Sequence, residues 1–163
     1  MAFQFLPLQT SDYPLALEMK RQTYQDNGGA TPPDIIVRNG IRYSFDDYFS
    51  SLFHFYQCRD AASVALLWQS PDHARQAIGM VAINVETGHI NNLYLRDNNR
   101  GLGLGRMMEA YACTLLRRHG HTVATLGTAI GSSAIGFYEH LGWRIVGPHP
   151  HKPDELWALE KDL

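Results

Sequence analysis

Hydrophobic and polar positions divide the chain into a helical first part and a strand-rich second part, with the change near residue 63. Residues 3–8 alternate loosely and predict a short strand. Asp12 is expected to cap the helix that follows, and Ser44 to open a second, aromatic-rich helix over residues 45–56. Residues 26–33, between the two helices, are rich in turn formers, so no regular structure is predicted there.

The second part combines β-rich runs with one long amphipathic helix. The runs predict six strands, at 64–68, 78–85, 90–95, 122–126, 143–146 and 155–159. The short link Glu86-Thr87-Gly88 indicates an antiparallel hairpin, and a helix is predicted from Leu104 to the residues before Gly120. Ser132 or Ser133 is expected to cap a short helix that ends at Gly142. The order β-α-α-β-β-β-α-β-α-β-β predicts a mixed α/β fold, and the length suits one domain over residues 1–163.

Composition narrows the class of protein. Apolar residues make up 45% and charged residues 18% of the chain, which is typical of a globular domain. A net charge of −2 gives no reason to expect nucleic acid or an anionic membrane as a partner. The 2 cysteines are too few for a disulfide framework or a zinc cage. The first residues lack the features of a signal peptide and no apolar run is long enough to span a bilayer, so a cytoplasmic protein is expected.

The most informative stretch runs from Leu93 to Arg106, where a predicted strand enters a glycine-rich turn that opens a helix. Such a turn exposes backbone N–H groups at the positive end of the helix, which makes an anion site suited to phosphate. The Lys-Ser/Thr pair of a nucleotide P-loop is absent, and Arg106 stands where a dinucleotide fingerprint needs its third glycine. What remains is the pattern Arg100-x-x-Gly103-x-Gly105.

A second motif, Ala134-Ile-Gly-Phe-Tyr-Glu-His-Leu-Gly-Trp143, follows after one predicted strand. Together the two motifs resemble the acetyl-CoA-binding and later motifs of the GCN5-related N-acetyltransferase superfamily. The resemblance covers residues 63–163 well, whereas residues 1–62 match in element order only. It implies an acyl-CoA N-acyltransferase fold, with a central mixed, mostly antiparallel sheet of about six or seven strands flanked by helices. It also implies acetyl-CoA as co-substrate without a metal, with 63–163 as the acetyl-CoA-binding core and 1–62 as the acceptor-side helices.

Carried over residue by residue, the resemblance assigns two sets of contacts with CoA. The backbone at the end of the strand, Leu93, Tyr94 and Leu95, would hold the pantetheine arm and the thioester, although the leucine side chains are equally explained as core. The pyrophosphate would lie on the turn formed by Arg100, Gly101, Leu102, Gly103, Leu104, Gly105 and Arg106. Many relatives carry an asparagine where this chain has Gly131, and Ser133 is the expected substitute.

The catalytic residues are less sharply defined. Tyr138 matches the superfamily's usual proton donor to the CoA thiolate, and the alternative is an aromatic residue packed on the core. His89 occupies the position where some relatives carry a glutamate base, and strand alternation predicts that it shares a face with Asn91 and Leu93. Glu86 is the weaker candidate, and ordered water is a third possibility for the base. His149 and His151 lack a partner cluster, so no metal site is predicted.

The acceptor is the least determined part. The region from Tyr24 to Tyr56, expected to wall its pocket, combines many aromatic residues with four aspartates: Asp26, Asp34, Asp46 and Asp47. An anionic, aromatic-lined pocket would suit a cationic amine with an apolar body, whether small molecule, peptide N-terminus or lysine. The alternative is that the aromatics form core and the aspartates are solvated. The predicted reaction is direct transfer of the acetyl group to the amine in a ternary complex. The alternative function is a non-catalytic acyl-CoA-binding or sensing domain. The resemblance also allows a homodimer.

Overall fold

The structure is a computed structural model that describes residues 2–26, 31–70 and 76–163. Its strands and helices, in chain order, are β1 (Ala2–Pro7), α1 (Tyr13–Asp26), β2 (Ile35–Arg38), β3 (Ile41–Ser44), α2 (Phe45–Gln57), β4 (Val64–Ser70), β5 (Gln76–Asn84), β6 (His89–Leu95), α3 (Leu104–Arg118), β7 (Val123–Ala129), α4 (Ala134–His140), β8 (Arg144–Pro148) and β9 (Leu156–Asp162). Among these residues no helix is long and apolar enough to cross a membrane.

Seven of the strands form one twisted sheet in the order β1-β4-β5-β6-β7-β9-β8. Every neighbouring pair is antiparallel except β6 and β7, which run parallel because α3 carries the chain between them. The predicted mixed, mostly antiparallel sheet flanked by helices is therefore confirmed. β1 lies at one edge of this sheet, so the first part of the chain also contributes a strand.

The sheet is covered on both faces because its central strands are apolar on both sides. Val64 and Leu66 of β4 pack with the aromatic residues of α2 and with α1. Ala65 and Leu67, pointing to the opposite face, pack with α3 and α4. The result is three layers, helices–sheet–helices, in which β4, β5 and β6 are the buried centre.

The side chains that cap the helices match the predicted caps at α2 and α4 but not at α1. The Ser44 hydroxyl accepts a hydrogen bond from the Asp47 backbone N–H at 3.1 Å and caps α2, as predicted. The prediction that Asp12 caps α1 is wrong. Asp12 ends a short 3-10 turn instead, where its carboxylate accepts from the Gln9 backbone N–H at 3.2 Å, and α1 starts at the next residue. At α4, the Ser132 hydroxyl accepts from the Ala134 N–H at 3.1 Å.

The strands β2 and β3 form a small hairpin that was not predicted from the sequence. β2 and β3 pair with each other apart from the main sheet, joined by Asn39 and Gly40 with φ angles of 52° and 76°. An Asn-Gly pair with both φ angles positive is the strongest short-range signal for a two-residue hairpin, so this element was readable in the sequence. Of the predicted irregular stretch 26–33, residue 26 belongs to α1, residues 31–33 have no regular structure, and 27–30 lie outside the described residues.

A β-bulge in β6 determines which way its first residue faces. Asn92 pairs with Ala82 of β5, but the next pair is Ile90 with Ile83, so Asn91 is an extra residue without a partner of its own. The bulge reverses the alternation: Ile90 and Leu93 both pack on the α3 side. The prediction that His89 shares a face with Leu93 is therefore wrong, and His89 lies on the opposite side of the sheet with Asn92.

Candidate active site

The parallel strands β6 and β7 are in contact over only two residue pairs, His89 with Thr125 and Ile90 with Leu126. Beyond these pairs the strands separate, and a cleft opens on each side of the gap. We call the cleft beside the glycine turn the CoA cleft, and the one beside α1 and α2 the acceptor groove.

The CoA cleft has a volume of about 470 Å³ and brings together the two motifs that lie far apart in the sequence. Its lining comprises the end of α1, the end of β6, the glycine turn and the start of α4: Thr23, Asp26, Leu93, Tyr94, Leu95, Arg100, Gly101, Gly103, Gly105, Arg106, Ser132, Ser133, Ala134, Phe137 and Tyr138. Two residues assigned to CoA by the resemblance are not in this lining. Leu102 is 67% exposed outside the cleft and Leu104 is buried in the core.

The glycine turn presents free backbone N–H groups to this cleft. Gly101 and Gly103 have φ angles of 76° and 78°, which side chains other than glycine rarely adopt. Gly103 is the residue before α3, and the first helical hydrogen bond runs from the Met107 N–H to the Gly103 carbonyl at 3.2 Å. The N–H groups of the three residues at 104–106 thus precede the first helical donor and form a site for a phosphate oxygen.

A close contact between helices explains Gly105. A Cβ atom at this position would lie 3.2 Å from two ring carbons of Phe137 in α4. The glycine allows the start of α3 to approach α4 and so sets the width of the CoA cleft at that point.

Past Ile90, the edge of β6 that faces the gap has no paired strand among the described residues, although its Leu95 carbonyl accepts a hydrogen bond from Arg100 Nε. The Arg96 N–H donates to the Ile78 carbonyl of β5 at 2.8 Å, which fixes which residues of β6 turn their backbone toward β5. By alternation along an antiparallel pair, the backbone groups of Leu93 and Leu95 point the other way, into the gap. Tyr94, assigned with them, has its backbone turned toward β5 and its side chain in the α1/α2 core. The backbone contact with the pantetheine arm and thioester, which the resemblance assigns to this strand, is therefore available at Leu93 and Leu95.

Arginine side chains supply the charge around the turn. The Arg100 guanidinium lies 2.7 Å from Asp26 and 3.0 Å from Asp97, and its Nε donates to the Leu95 carbonyl at 3.3 Å. An entering phosphate would have to compete with these carboxylates for Arg100. Arg106 lines the same cleft, and it has no carboxylate within salt-bridge distance among the described residues.

Tyr138 is 8% exposed and lines the CoA cleft from α4. Its ring packs edge-on against Phe137 and Trp143, with centroids 5.1 Å and 5.8 Å away. Burial raises the pKa of its phenol far above the ordinary value, and the nearby negative charge of Glu109 raises it further. The phenol is consequently a hydrogen-bond donor at neutral pH.

Glu109 itself is a buried carboxylate beneath this site, at 3% exposure. One oxygen accepts from Trp143 Nε1 at 2.9 Å and from Lys161 Nζ at 2.7 Å, so the charge is paired. Cys113 Sγ also lies 3.3 Å from that oxygen, and burial together with Glu109 raises the pKa of the thiol to about 12. Cys113 is therefore an unreactive thiol.

The acceptor groove is larger, about 1140 Å³, and lies across the gap from the CoA cleft. Its inner wall comes from aromatic residues at the end of α1 and along α2: Tyr24, Tyr48, Phe49, Phe53 and Tyr56. The opposite wall comes from the end of β5, the start of β6, the strands β7, β8 and β9, and the loop after β8.

His89 stands in this groove near the gap. One ring nitrogen lies 2.8 Å from the Thr125 hydroxyl, and the ring centroid is 6.5 Å from that of His149. Burial, with the neighbouring His149, lowers the pKa of His89 to about 4, so the imidazole is neutral at physiological pH. No partner cluster was predicted for His149 from the sequence. The fold places its ring between those of His89 and His151, and the ring centroids of His149 and His151 are 5.9 Å apart. No cluster able to hold a metal is found in the described part of the chain.

Two other assigned residues take different positions. Glu86 lies in the exposed hairpin turn, 2.6 Å from Arg59, and it lines neither cleft. Ser133 lines the CoA cleft directly before α4, where its side chain does not cap the helix.

The four aspartates that led to the expectation of an anionic acceptor pocket lie elsewhere. Asp26 pairs with Arg100 in the CoA cleft, Asp46 pairs with Arg21, and Asp34 and Asp47 are exposed. None of them lines the acceptor groove, so that expectation is wrong. The groove's charged lining residues are instead Lys20, Arg38, Lys152 and Glu160.

Comparison with known proteins fits this geometry. The sequence model described as "Acetyltransferase (GNAT) family" matches residues 32–143. Ard1 from Thermoplasma volcanium superimposes with a TM-score of 0.72 at 12% identity, covering 100% of this chain and 99% of that one. The PaiA N-acetyltransferase of Thermoplasma acidophilum, solved in complex with coenzyme A, gives 0.67 at 16% identity, with 100% of both chains covered. Arabidopsis thaliana Naa50, solved with the bisubstrate analogue CoA-Ac-MVNAL, gives 0.65 at 15% identity, again with 100% of both chains covered. A search of curated proteins finds no match.

The chain thus belongs to the GNAT acetyltransferase family, as its two motifs predicted. Membership implies acyltransferase activity. Identities of this size to the solved structures show the fold alone.

Proposed function

We propose that this protein is an N-acetyltransferase that moves an acetyl group from acetyl-CoA to a primary amine by direct attack in a ternary complex. The observation that carries the proposal is the pair of clefts that meet at the gap between β6 and β7. One of them has the anion site and free strand edge that a CoA thioester needs, and the other is an open aromatic groove.

CoA binding would use three features along the CoA cleft. The pyrophosphate would bind the N–H groups at the start of α3, with a further contact from Arg106, which has no carboxylate partner among the described residues. The amides of the pantetheine arm would pair with the open edge of β6, much as an added strand would. The thioester would then lie at Leu93, where the two clefts meet.

The transfer itself forms one bond and breaks another. The neutral amine nitrogen attacks the thioester carbon, and the tetrahedral oxyanion would be stabilised by the backbone N–H groups facing the gap. Collapse expels the CoA thiolate, to which the Tyr138 phenol would donate a hydrogen bond. The same burial that raises the pKa of the phenol also disfavours a bare thiolate, so a hydrogen bond from the phenol would stabilise the leaving group.

The proton lost by the amine needs an acceptor on the groove side. His89 is neutral and lies at the gap, so its free ring nitrogen would take the proton directly or through a water molecule. His149 and His151 extend from it toward the mouth of the groove and would pass the proton outward. Glu86, paired with Arg59 at the exposed turn, has no part in the proposed mechanism.

The acceptor groove is also what favours an enzyme over a non-catalytic acyl-CoA sensor. A sensor needs the CoA cleft alone, whereas here a second cleft of about 1140 Å³ opens on the other side of the thioester position. The half-buried, neutral His89 beside that position adds a group that a sensor would not require.

Calorimetric titration with acetyl-CoA, followed by thiol-release kinetics with a panel of amines, tests the proposal. We expect one saturable site for acetyl-CoA and none for NAD or ATP, and thiol release that depends on an amine. Arg106→Gln should weaken acetyl-CoA binding by about tenfold. Arg117→Gln removes the same charge at the other end of α3 and should leave binding unchanged. Binding without amine-dependent turnover would favour the sensor, and no binding at about millimolar ligand would refute both functions.

A further inference from the structure

The acceptor groove carries positive charge that has no carboxylate partner among the described residues. Lys20 and Arg38 both line the groove, and neither has a carboxylate within 4.0 Å among the described residues. The other two charged residues of the lining are paired, Lys152 with Glu155 at 3.2 Å and Glu160 with Arg144 at 3.5 Å. The unpaired charge of the groove is therefore cationic.

Lys20 is held in place by its surroundings. Its ammonium lies 4.9 Å from the ring centroid of Phe49 and 5.9 Å from that of Tyr24, and it donates to the Asn92 side-chain oxygen at 3.2 Å. Burial lowers the pKa of Lys20 to about 8, with the charge of Lys152 as a smaller cause. A desolvated cation without a counter-ion is costly, and an anionic ligand would remove that cost.

Asn92 provides a second, independent sign of a missing ligand. It is 6% exposed, lines the groove from β6, and its oxygen is already used by Lys20. The nitrogen of the same amide is buried with no hydrogen-bond partner among the described residues. Buried donors of this kind are rare in folded proteins, which suggests that a ligand oxygen completes the site.

We propose that the acceptor is a free amino acid, whose carboxylate binds Lys20 Nζ and Asn92 Nδ2 while its amine points at the thioester. Asn92 directly precedes Leu93, where the thioester would lie, so the anion site and the attacked carbon would be at neighbouring positions of β6. This placement favours an acceptor whose amine and carboxylate are close together, as they are in an amino acid. The aromatic wall of α2 would receive an apolar side chain.

A peptide N-terminus fits this arrangement less well. Its first carbonyl oxygen would satisfy the Asn92 amide, but a neutral carbonyl leaves the Lys20 ammonium without a counter-ion. The inference rests on the proposed function, since it names the substrate class of the same groove.

Thiol-release kinetics with matched pairs of apolar amino acids and their C-terminal amides test the inference, for example phenylalanine against phenylalaninamide and methionine against methioninamide. We expect kcat/KM to be at least about tenfold higher for the free acids, because the amide lacks the charge-assisted bond. Lys20→Met keeps the aliphatic stem and should abolish this preference while acetyl-CoA affinity is unchanged. Arg42→Gln, an equal charge change at an exposed position of β3 outside the groove, should preserve the preference.

Different outcomes separate the two proposals. Amides or peptides that react as well as the acids, or a Lys20→Met variant that slows both classes equally, would overturn the amino-acid inference and leave the N-acetyltransferase standing. Acetyl found on Lys20 by mass spectrometry, without any added amine, would show that Lys20 is an acceptor rather than an anion site and would also overturn it. Binding of acetyl-CoA with no turnover on any amine would refute the proposed function, and the inference with it.

Discussion

Replacing Tyr138 by phenylalanine removes a single oxygen atom from the CoA cleft. Because the ring is buried between Phe137 and Trp143, at centroid distances of 5.1 Å and 5.8 Å, the phenylalanine ring can keep both contacts. The change therefore separates the chemistry of the hydroxyl from the packing of the side chain. We expect kcat to fall and the affinity for acetyl-CoA to stay within about twofold.

The size of the effect follows from what the hydroxyl does. A positioned proton donor contributes about 10²- to 10⁴-fold to a rate, so the loss in kcat should be at least about 100-fold, or about 2.8 kcal/mol of activation free energy. The unfolding free energy should change by no more than about 1 kcal/mol, since the phenol oxygen carries at most one hydrogen bond's worth of net stability. Because burial raises the pKa of Tyr138, the phenol stays protonated and cannot itself produce a loss of activity below about pH 10.

Tyr111→Phe is the matched control. Tyr111 is a half-buried tyrosine of α3 whose hydroxyl donates to the Ala62 carbonyl at 2.7 Å, and it lines neither cleft. It should lose about 1 kcal/mol of stability with kcat unchanged, the reverse of the Tyr138 result. Thiol-release kinetics at saturating substrates, calorimetry with acetyl-CoA and urea unfolding give the three quantities. An unchanged kcat in Tyr138→Phe would refute the assignment and leave Tyr138 as a core aromatic residue.

Three further predictions follow from the same site. Gly105→Ala places a Cβ 3.2 Å from the Phe137 ring and should weaken acetyl-CoA binding several-fold, whereas Gly136→Ala in α4 meets nothing within 4 Å and should not, as calorimetry would show. His89→Gln should lower kcat/KM by about tenfold or more. In the wild type, the loss of kcat/KM at acid pH that protonation of His89 causes should be centred near its pKa of about 4. A loss centred near pH 6.5 that vanishes in the variant would contradict a neutral imidazole with a lowered pKa. Incubation with acetyl-CoA alone should leave both cysteines free of acetyl by mass spectrometry, and an acetylated thiol would contradict direct transfer.

The family and the CoA cleft could be predicted from the sequence because their signals are local. The glycine pattern Arg100-x-x-Gly103-x-Gly105 describes a backbone turn, and a turn is specified by the few residues that form it. The same holds for the Ser44 cap of α2 and for the Asn39-Gly40 hairpin, although the latter signal was overlooked. The spacing between the two motifs predicted the rest of the fold, because it matched the order of strands and helices in one known family.

The acceptor side had no such local signal, and the charge reasoning about it failed. Asp26 and its three companions are near the aromatic residues in sequence, but helix faces and ion pairs direct them away from the groove. Lys20, which does line the groove, lies on the amphipathic helix α1, and in the sequence it cannot be distinguished from a solvent-exposed lysine. Its partner Asn92 is 72 positions away along the chain.

By itself, then, the sequence determined the class of fold, the position of the phosphate-binding turn and the family, because each depends on short-range backbone geometry. The tertiary structure alone decided which way His89 faces, through a single extra residue in β6, since alternation along a strand cannot reveal a bulge. It alone also brought Lys20 onto Asn92 in the acceptor groove. Whether a charged side chain finds a partner depends on which distant segments of the chain pack together. A short window of sequence does not contain both members of such a pair.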